Sequence, residues 1–281
     1  MSYANRIGII QNLKWFFDEN EKDLLDQMVE AGLQSVQVLA NDISLDLMTE
    51  ENAEKLLEMT EGKLEITSFW AGWSGPNVWN FVDGPGTLGL VPEAYRAMRL
   101  EELKKGAQFA HRLGVHDMAT HVGFVPEQPC YPGYRDLVSA IAHIAEYCDS
   151  LGLNFNFETG QETPVTLMRL FSDVGAKNLG VNLDPANLIL YGRGNPVDAI
   201  DIYGDKIRGV HVKDGDYPSG DFHKLGKERV VGEGSVNYPV FLPKLLKKGY
   251  KGDLYIEREI TGKERAEDIK KTIVYVKTLM Q

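Results

Sequence analysis

Glu158, Asp184, His211 and Glu257 fall at or near the carboxyl ends of four apolar runs, LNFNFETG, GVNLDP, IRGVHVKD and DLYIERE. In an extended strand alternate side chains take opposite faces. That parity sets Phe155 and Phe157 on one face of the first run and Asn154, Asn156 and Glu158 on the other. Likewise Val181 and Leu183 oppose Asn182 and Asp184, Val210 and Val212 oppose His211 and Lys213, and Leu254 and Ile256 oppose Tyr255 and Glu257. The steps from 158 to 184 and from 184 to 211 are each about one strand-helix unit, so the four ends are expected to meet in space. Three carboxylates packed together repel unless they are protonated or neutralised by a cation. A set that is mostly oxygen with one imidazole suits a divalent ion, Mn²⁺ ahead of Mg²⁺, Co²⁺ or Zn²⁺, whereas a closed structural zinc site favours Cys and His. The alternative is four unrelated polar side chains plugging a barrel mouth, which their common register argues against.

The elements that would position these groups alternate along the whole chain. Strands are expected at Arg6 to Ile10, Ser35 to Ala40, Leu64 to Trp70, His116 to His121, Leu153 to Glu158, Leu179 to Asp184, Ile207 to Lys213 and Asp253 to Glu257. Helices are expected at Lys22 to Ala31, Glu50 to Glu61, Glu93 to Leu113, Tyr134 to Leu151, Pro164 to Val174, Pro196 to Tyr203, Pro239 to Lys248 and Lys263 to Met280. Several close on a glycine suited to a left-handed cap, at Gly32, Gly62, Gly114 and Gly152. Eight such units describe a (β/α)8 TIM barrel occupying residues 1 to 281 as one domain, with chemistry at the carboxyl ends of its strands. An open doubly wound sheet is the rival, but no GxGxxG follows the first strand.

The chain has 281 residues, 43% hydrophobic and 25% charged, and a net charge of -11, which argues against nucleic acid as the main partner. No apolar run approaches the roughly 18 residues that span a bilayer, and the start MSYANRIGII lacks a leader pattern, so a cytoplasmic protein without a membrane partner is expected. Cys130 and Cys148 are too sparse for a disulfide framework or a cysteine zinc site. The expected partner is a small-molecule sugar or keto sugar; a homo-oligomer is compatible with the sequence.

With these residues placed, the chain resembles the xylose-isomerase-like TIM barrels, in particular the sugar phosphate isomerase/epimerase group of ketose 3-epimerases, hydroxypyruvate isomerase and inosose enzymes. The resemblance runs through FETGQETP, NLDPAN, HVKDGD, VGEGSVNY and YIERE in that order. It implies that Glu158, Asp184, His211 and Glu257 bind one divalent cation and that Glu158 and Glu257 form the catalytic acid-base pair. The reaction implied is proton abstraction beside a carbonyl, through a stabilised enediolate. Relatives commonly carry a substrate-contacting His three residues after the metal-binding Asp, where this chain has Asn187, and an Arg shortly after the metal-binding His, where this chain has GDYPSGD. Both departures weaken assignment to a known ketose 3-epimerase.

Around this set, Trp70 and His121 end strands and are expected, with Glu162, Asn187 and Lys213, to contact substrate. Trp73 and Trp79 either platform a sugar or pack their own loop. Glu162 either binds a substrate hydroxyl or begins the helix at Pro164. Lys213 and Arg258 either tune the glutamates or form structural ion pairs. His223 lies in a polar loop that could reach the site, whereas His111 and His143 fall within helices. The GEG at 232 to 234 is too short to read as a phosphate loop. Two other functions stay open: a metal-dependent lyase or dehydratase acting on an inosose or 3-keto sugar, and a non-catalytic sugar-binding protein.

Overall fold

The computed structural model describes residues 5–21 and 23–281. Residues 1–4 and Lys22, on which the reading of the amino terminus and the start of the first expected helix partly rest, lie outside the described residues. The strands are β1 (Ile7–Asn12), β2 (Ser35–Ala40), β3 (Glu65–Ala71), β4 (Asp117–Thr120), β5 (Asn154–Glu158), β6 (Leu179–Leu183), β7 (Ile207–Val212), β8 (Asp214–Asp216), β9 (Lys227–Arg229) and β10 (Leu254–Ile256). Eight of them close a barrel in the order β1, β10, β7, β6, β5, β4, β3, β2. Every pairing in it is parallel, and the ring shuts where Ile7 lies opposite Leu254 and Ile9 opposite Ile256. The helices are α1 (Leu13–Phe16), α2 (Leu24–Glu30), α3 (Glu50–Thr60), α4 (Gly84–Thr87), α5 (Glu93–Arg112), α6 (Tyr134–Ser150), α7 (Pro164–Val174), α8 (Pro185–Leu190), α9 (Pro196–Tyr203), α10 (Tyr238–Lys247) and α11 (Lys263–Leu279).

Local chemistry accounts for these boundaries. Thr163 caps α7 by accepting from the Thr166 amide at 3.2 Å, Pro164 supplies a fixed φ at the first helical position, and Gly175 closes the helix at φ 72°. The four glycines expected to cap helices all take positive φ. The strands and the eight longer helices match expectation to within about two residues, the usual fraying of such boundaries. The short helices α1, α4 and α8 and the β8-β9 hairpin differ from it. Strands reading DGD and KER carry no apolar alternation, so nothing in their pattern marks them as paired.

The barrel's two faces divide the core. Phe155, Phe157, Val181, Leu183, Val210 and Leu254 are buried towards the helices, with the Phe157 ring edge-on to Phe171 of α7 at 5.1 Å. Each such side chain removed from water contributes about 1.5–3 kcal/mol. The inside is instead a bonded polar layer. Gln37 Nε2 donates to Ser68 Oγ at 2.9 Å and to Asn182 Oδ1 at 3.3 Å, and Asn154 and Asn156 both donate to Asp117 Oδ1 at 3.0 Å. A run such as NFNFE is therefore what this barrel requires, with each outward Phe apolar and each inward Asn paired. No helix among the described residues is long and apolar enough to cross a membrane.

Candidate functional site

Glu158 ends β5, Asp184 follows β6, His211 is the penultimate residue of β7 and Glu257 follows β10. One ligand atom from each lies within 4.8 Å of all the others. His211 Nδ1 stands 3.0 Å from Glu257 Oε2, 3.3 Å from Glu158 Oε1 and 3.8 Å from Asp184 Oδ2. On the far side of the ring, Nε2 is 2.7 Å from Gln37 Oε1 and 3.0 Å from the side-chain amide of Asn182. The closer Gln37 oxygen has no proton to give, so Nε2 carries a proton, and Nδ1 faces the carboxylates; burial opposes charging of the ring, but Glu158 and Glu257 more than offset it and hold the ring well above the usual imidazole range. Asp184 divides its oxygens in the same way. Oδ1 caps α8 by accepting from the Asn187 amide at 2.9 Å, while Oδ2 faces the cluster.

Asp184 Oδ2, His211 Nδ1 and Glu257 Oε2 are buried and have no hydrogen-bond partner among the described residues. Buried acceptors left in this state each cost about 1–3 kcal/mol, and one divalent cation would satisfy all three. Three carboxylates and one imidazole, with that imidazole oriented from behind, fit a metal centre.

Lys213 supplies positive charge beside it, with Nζ at 2.6 Å from Glu259, 3.4 Å from Glu257 and 3.7 Å from Asp184. Burial alone would push the Glu257 carboxyl up, but Lys213 and His211 outweigh it and bring it down to about 2. Burial opposes ionisation of Glu158 as well, and His121 and His211 more than offset it, so its carboxyl lies well below the usual range. Glu158 accepts from Trp70 Nε1 and, at 3.1 Å, from Asn187 Nδ2, while His121 Nε2 is 3.4 Å from its Oε1. Asp184 moves upward because it is buried, with Lys213 countering only part of the effect.

A cavity of about 380 Å³ opens over this cluster. Of the residues expected to contact substrate, Trp70, His121, Asn187 and Lys213 are on its wall, as are Trp73 and Trp79. Glu162 is not; it is 1% exposed, and neither carboxylate oxygen has a hydrogen-bond partner among the described residues. It lies in the turn between β5 and α7, where burial pushes its carboxyl up to about 7. His223 is exposed and off the cavity wall, and Arg258 pairs with Glu228 at 3.1 Å and Asp268 at 3.0 Å rather than with the glutamates of the cluster.

Glu162 gives a pH prediction. Between its ordinary value of 4.5 and about 7, the folded chain holds a proton that the unfolded chain has released. Its contribution is present below pH 4.5 and is lost as pH rises through 7, a loss of about 3 kcal/mol at most. Glu162→Gln, which cannot ionise, is expected to melt higher than the parent at pH 8 and alike at pH 5 by calorimetry. Equal melting temperatures at both pH values would contradict it.

Three supporting residues carry no signal in the sequence reading. Gln37 orients His211 from β2. Asp214, fully buried, accepts from the amides of Gly215, Gly232, Gly234 and Val236 at 2.8–3.1 Å, tying the loop after β9 to the barrel. Gly234 is required there, since a Cβ would stand 2.3 Å from Asp214 Oδ1. Arg99 of α5, also fully buried, bonds the loop that bears the tryptophans.

Residues 25–279 match the family model described as xylose isomerase-like TIM barrel. A xylose isomerase domain protein from Planctomyces limnophilus is 30% identical, with a TM-score of 0.87 over 99% of this chain and 97% of that one. A D-tagatose 3-epimerase-like protein shares the fold at 20% identity and a TM-score of 0.73, over 98% of this chain and 97% of that one. An uncharacterised protein of Methanocaldococcus jannaschii is 25% identical over 182 residues; the match covers 59% of each chain. With its closed eight-stranded barrel and the cluster of four ligands at one end, the chain belongs to the xylose isomerase-like TIM barrel family.

Proposed function

We propose that this chain is a divalent-metal-dependent isomerase or epimerase of keto sugars, built on one barrel domain and using Mn²⁺. One observation carries the reading: of the four ligands, Glu158 and Glu257 line the cavity, while Asp184 and His211 are fully buried behind it. Two residues thus hold, and two both hold and face a substrate. The relative described as D-tagatose 3-epimerase-like supports the reaction class.

A cation held by the four ligands would act as a Lewis acid on the carbonyl and the neighbouring hydroxyl of the sugar, stabilising the enediolate. Glu158 and Glu257 take up and return the proton on the substrate carbon. Trp70 and Asn187 fix the Glu158 carboxylate by donating to it, and Lys213 does the same for Glu257 by charge. His121 balances the Glu158 charge from the cavity side. Asn187 cannot titrate near neutrality, so it orients rather than shuttles. Trp73 and Trp79 cover the apolar face of the sugar.

The test is incubation of keto sugars in deuterated water with Mn²⁺, read by NMR. Deuterium is expected at the carbon beside the carbonyl, with exchange abolished by a chelator and restored by added metal. A product lighter by water or by an aglycone would assign a lyase instead. No label in any keto sugar would leave sugar binding without catalysis.

A further inference from the structure

The cavity is unsuited to an anionic substrate. Its walls carry Asp42, Glu158, Glu257 and Glu259, against Lys213 and His121, the latter already 3.4 Å from Glu158. With Asp184 behind the wall there are five carboxylates, against which Lys213, His121 and a divalent ion bring four positive charges at most. Lys213 is moreover already 2.6 Å from Glu259 and 3.4 Å from Glu257. Phosphate esters are held by Arg forks, by free lysines or by rings of backbone amides. The glycine-rich loop at 232–236 is occupied, since the amides of Gly232, Gly234 and Val236 all bind the carboxylate of Asp214.

Besides Asn41, Asn77, Asn187 and His121, the rest of the wall is apolar. Leu39, Trp73, Trp79, Leu190, Tyr191 and Leu225 line it. Trp73 and Trp79 stack at 6.4 Å and 26°, and Trp79 remains 40% exposed at the rim. Beside it runs the segment 217–226, anchored where the Phe81 amide donates to Phe222 O at 3.1 Å and the Gly226 amide donates to Leu190 O at 2.9 Å. This segment presents Tyr217 and Phe222, 50% and 68% exposed. Leu225 of this segment is on the cavity wall, so the segment's exposed aromatic side chains offer apolar surface near the tryptophan-lined mouth.

We infer that the substrate is an uncharged, unphosphorylated keto sugar that carries an apolar substituent, a glycoside with its carbonyl on a ring carbon other than the anomeric one and its aglycone against Trp79 and the 217–226 segment. The inference rests on the proposed function for the placement of the sugar over the four ligands. It is tested by binding, so the outcome is independent of turnover. Calorimetric titration of the Mn²⁺-loaded protein with phenyl glucoside, methyl glucoside, glucose and glucose 6-phosphate is expected to rank phenyl above methyl by about tenfold. Glucose 6-phosphate is expected to bind more weakly than glucose. Trp79→Ala, and separately the surface change Phe222→Ser, should each shrink the phenyl-to-methyl ratio, with unaltered melting temperature showing that the fold is retained. Tighter binding of glucose 6-phosphate than of glucose overturns the inference, as does equal binding of the two glycosides or a ratio that survives both substitutions. Absence of deuterium exchange would overturn the proposed reaction while the binding order stood.

Discussion

Glu257→Gln is expected to slow deuterium exchange by about 10²–10⁴-fold, the range in which a positioned general base contributes. The amide keeps the shape and one oxygen of the carboxylate, but it cannot take up a proton at neutral pH. Loss of a ligand charge also weakens metal binding, so rate and metal content must be read together. Asp184→Asn separates the two effects, because in the proposed function Asp184 holds the cation, and it is fully buried and not on the cavity wall. Saturating Mn²⁺ is expected to restore much of the exchange in Asp184→Asn and little of it in Glu257→Gln. The same logic makes Glu158→Gln resemble Glu257→Gln. Exchange within about tenfold of the parent in metal-saturated Glu257→Gln would remove Glu257 from the proposed chemistry.

The barrel was legible because its two layers impose different chemistry on alternate residues. In NFNFE, GVNLD and RGVHVK an outward apolar side chain and an inward polar one alternate, and the last inward position is the carboxyl-end rim. The four candidate ligands follow from that parity, three at the last inward position and His211 one inward position earlier, before Lys213, and the structure brings them together. Parity says nothing once a strand ends. Glu162 sits four residues beyond Glu158 in a turn whose path depends on packing around Asn187 and Tyr191, where a Cβ on Gly160 would stand 3.0 Å and 3.3 Å from them. Its side chain consequently went to the interior rather than to the cavity. Gln37 and Arg99 were hidden for a different reason. An amide in a β-strand and an arginine in a helix reading EAYRAMRLEEL look alike whether they face solvent or a buried acceptor. Only the partner identifies their role, and the partner is remote in the chain.

Arg99→Ala is expected to destabilise the fold by about 3–5 kcal/mol, the range for removing one member of a buried charged network. The guanidinium is fully buried and donates to three backbone carbonyls, Gly89 at 2.7 Å, Pro76 at 2.8 Å and Ser74 at 3.1 Å. Its carbon also sits 4.0 Å from the centre of the Trp73 ring. Burial lowers Arg99 to about 10, partly countered by Glu102, which leaves it charged at neutral pH. Removing it strands those carbonyls and takes away the support beneath Trp73. Arg99→Lys tests the geometry with the charge retained. A single ammonium cannot span the three acceptors that the fork reaches, so this variant too should melt below the parent, by less than Arg99→Ala. Because the carbonyls belong to the loop that carries Trp73 and Trp79, while Glu158 and Glu257 sit at strand ends, the lysine variant is expected to raise KM for a sugar more than it lowers kcat. Melting within about 1 kcal/mol of the parent for both variants, with KM unchanged, would show that the loop holds its tryptophans without Arg99.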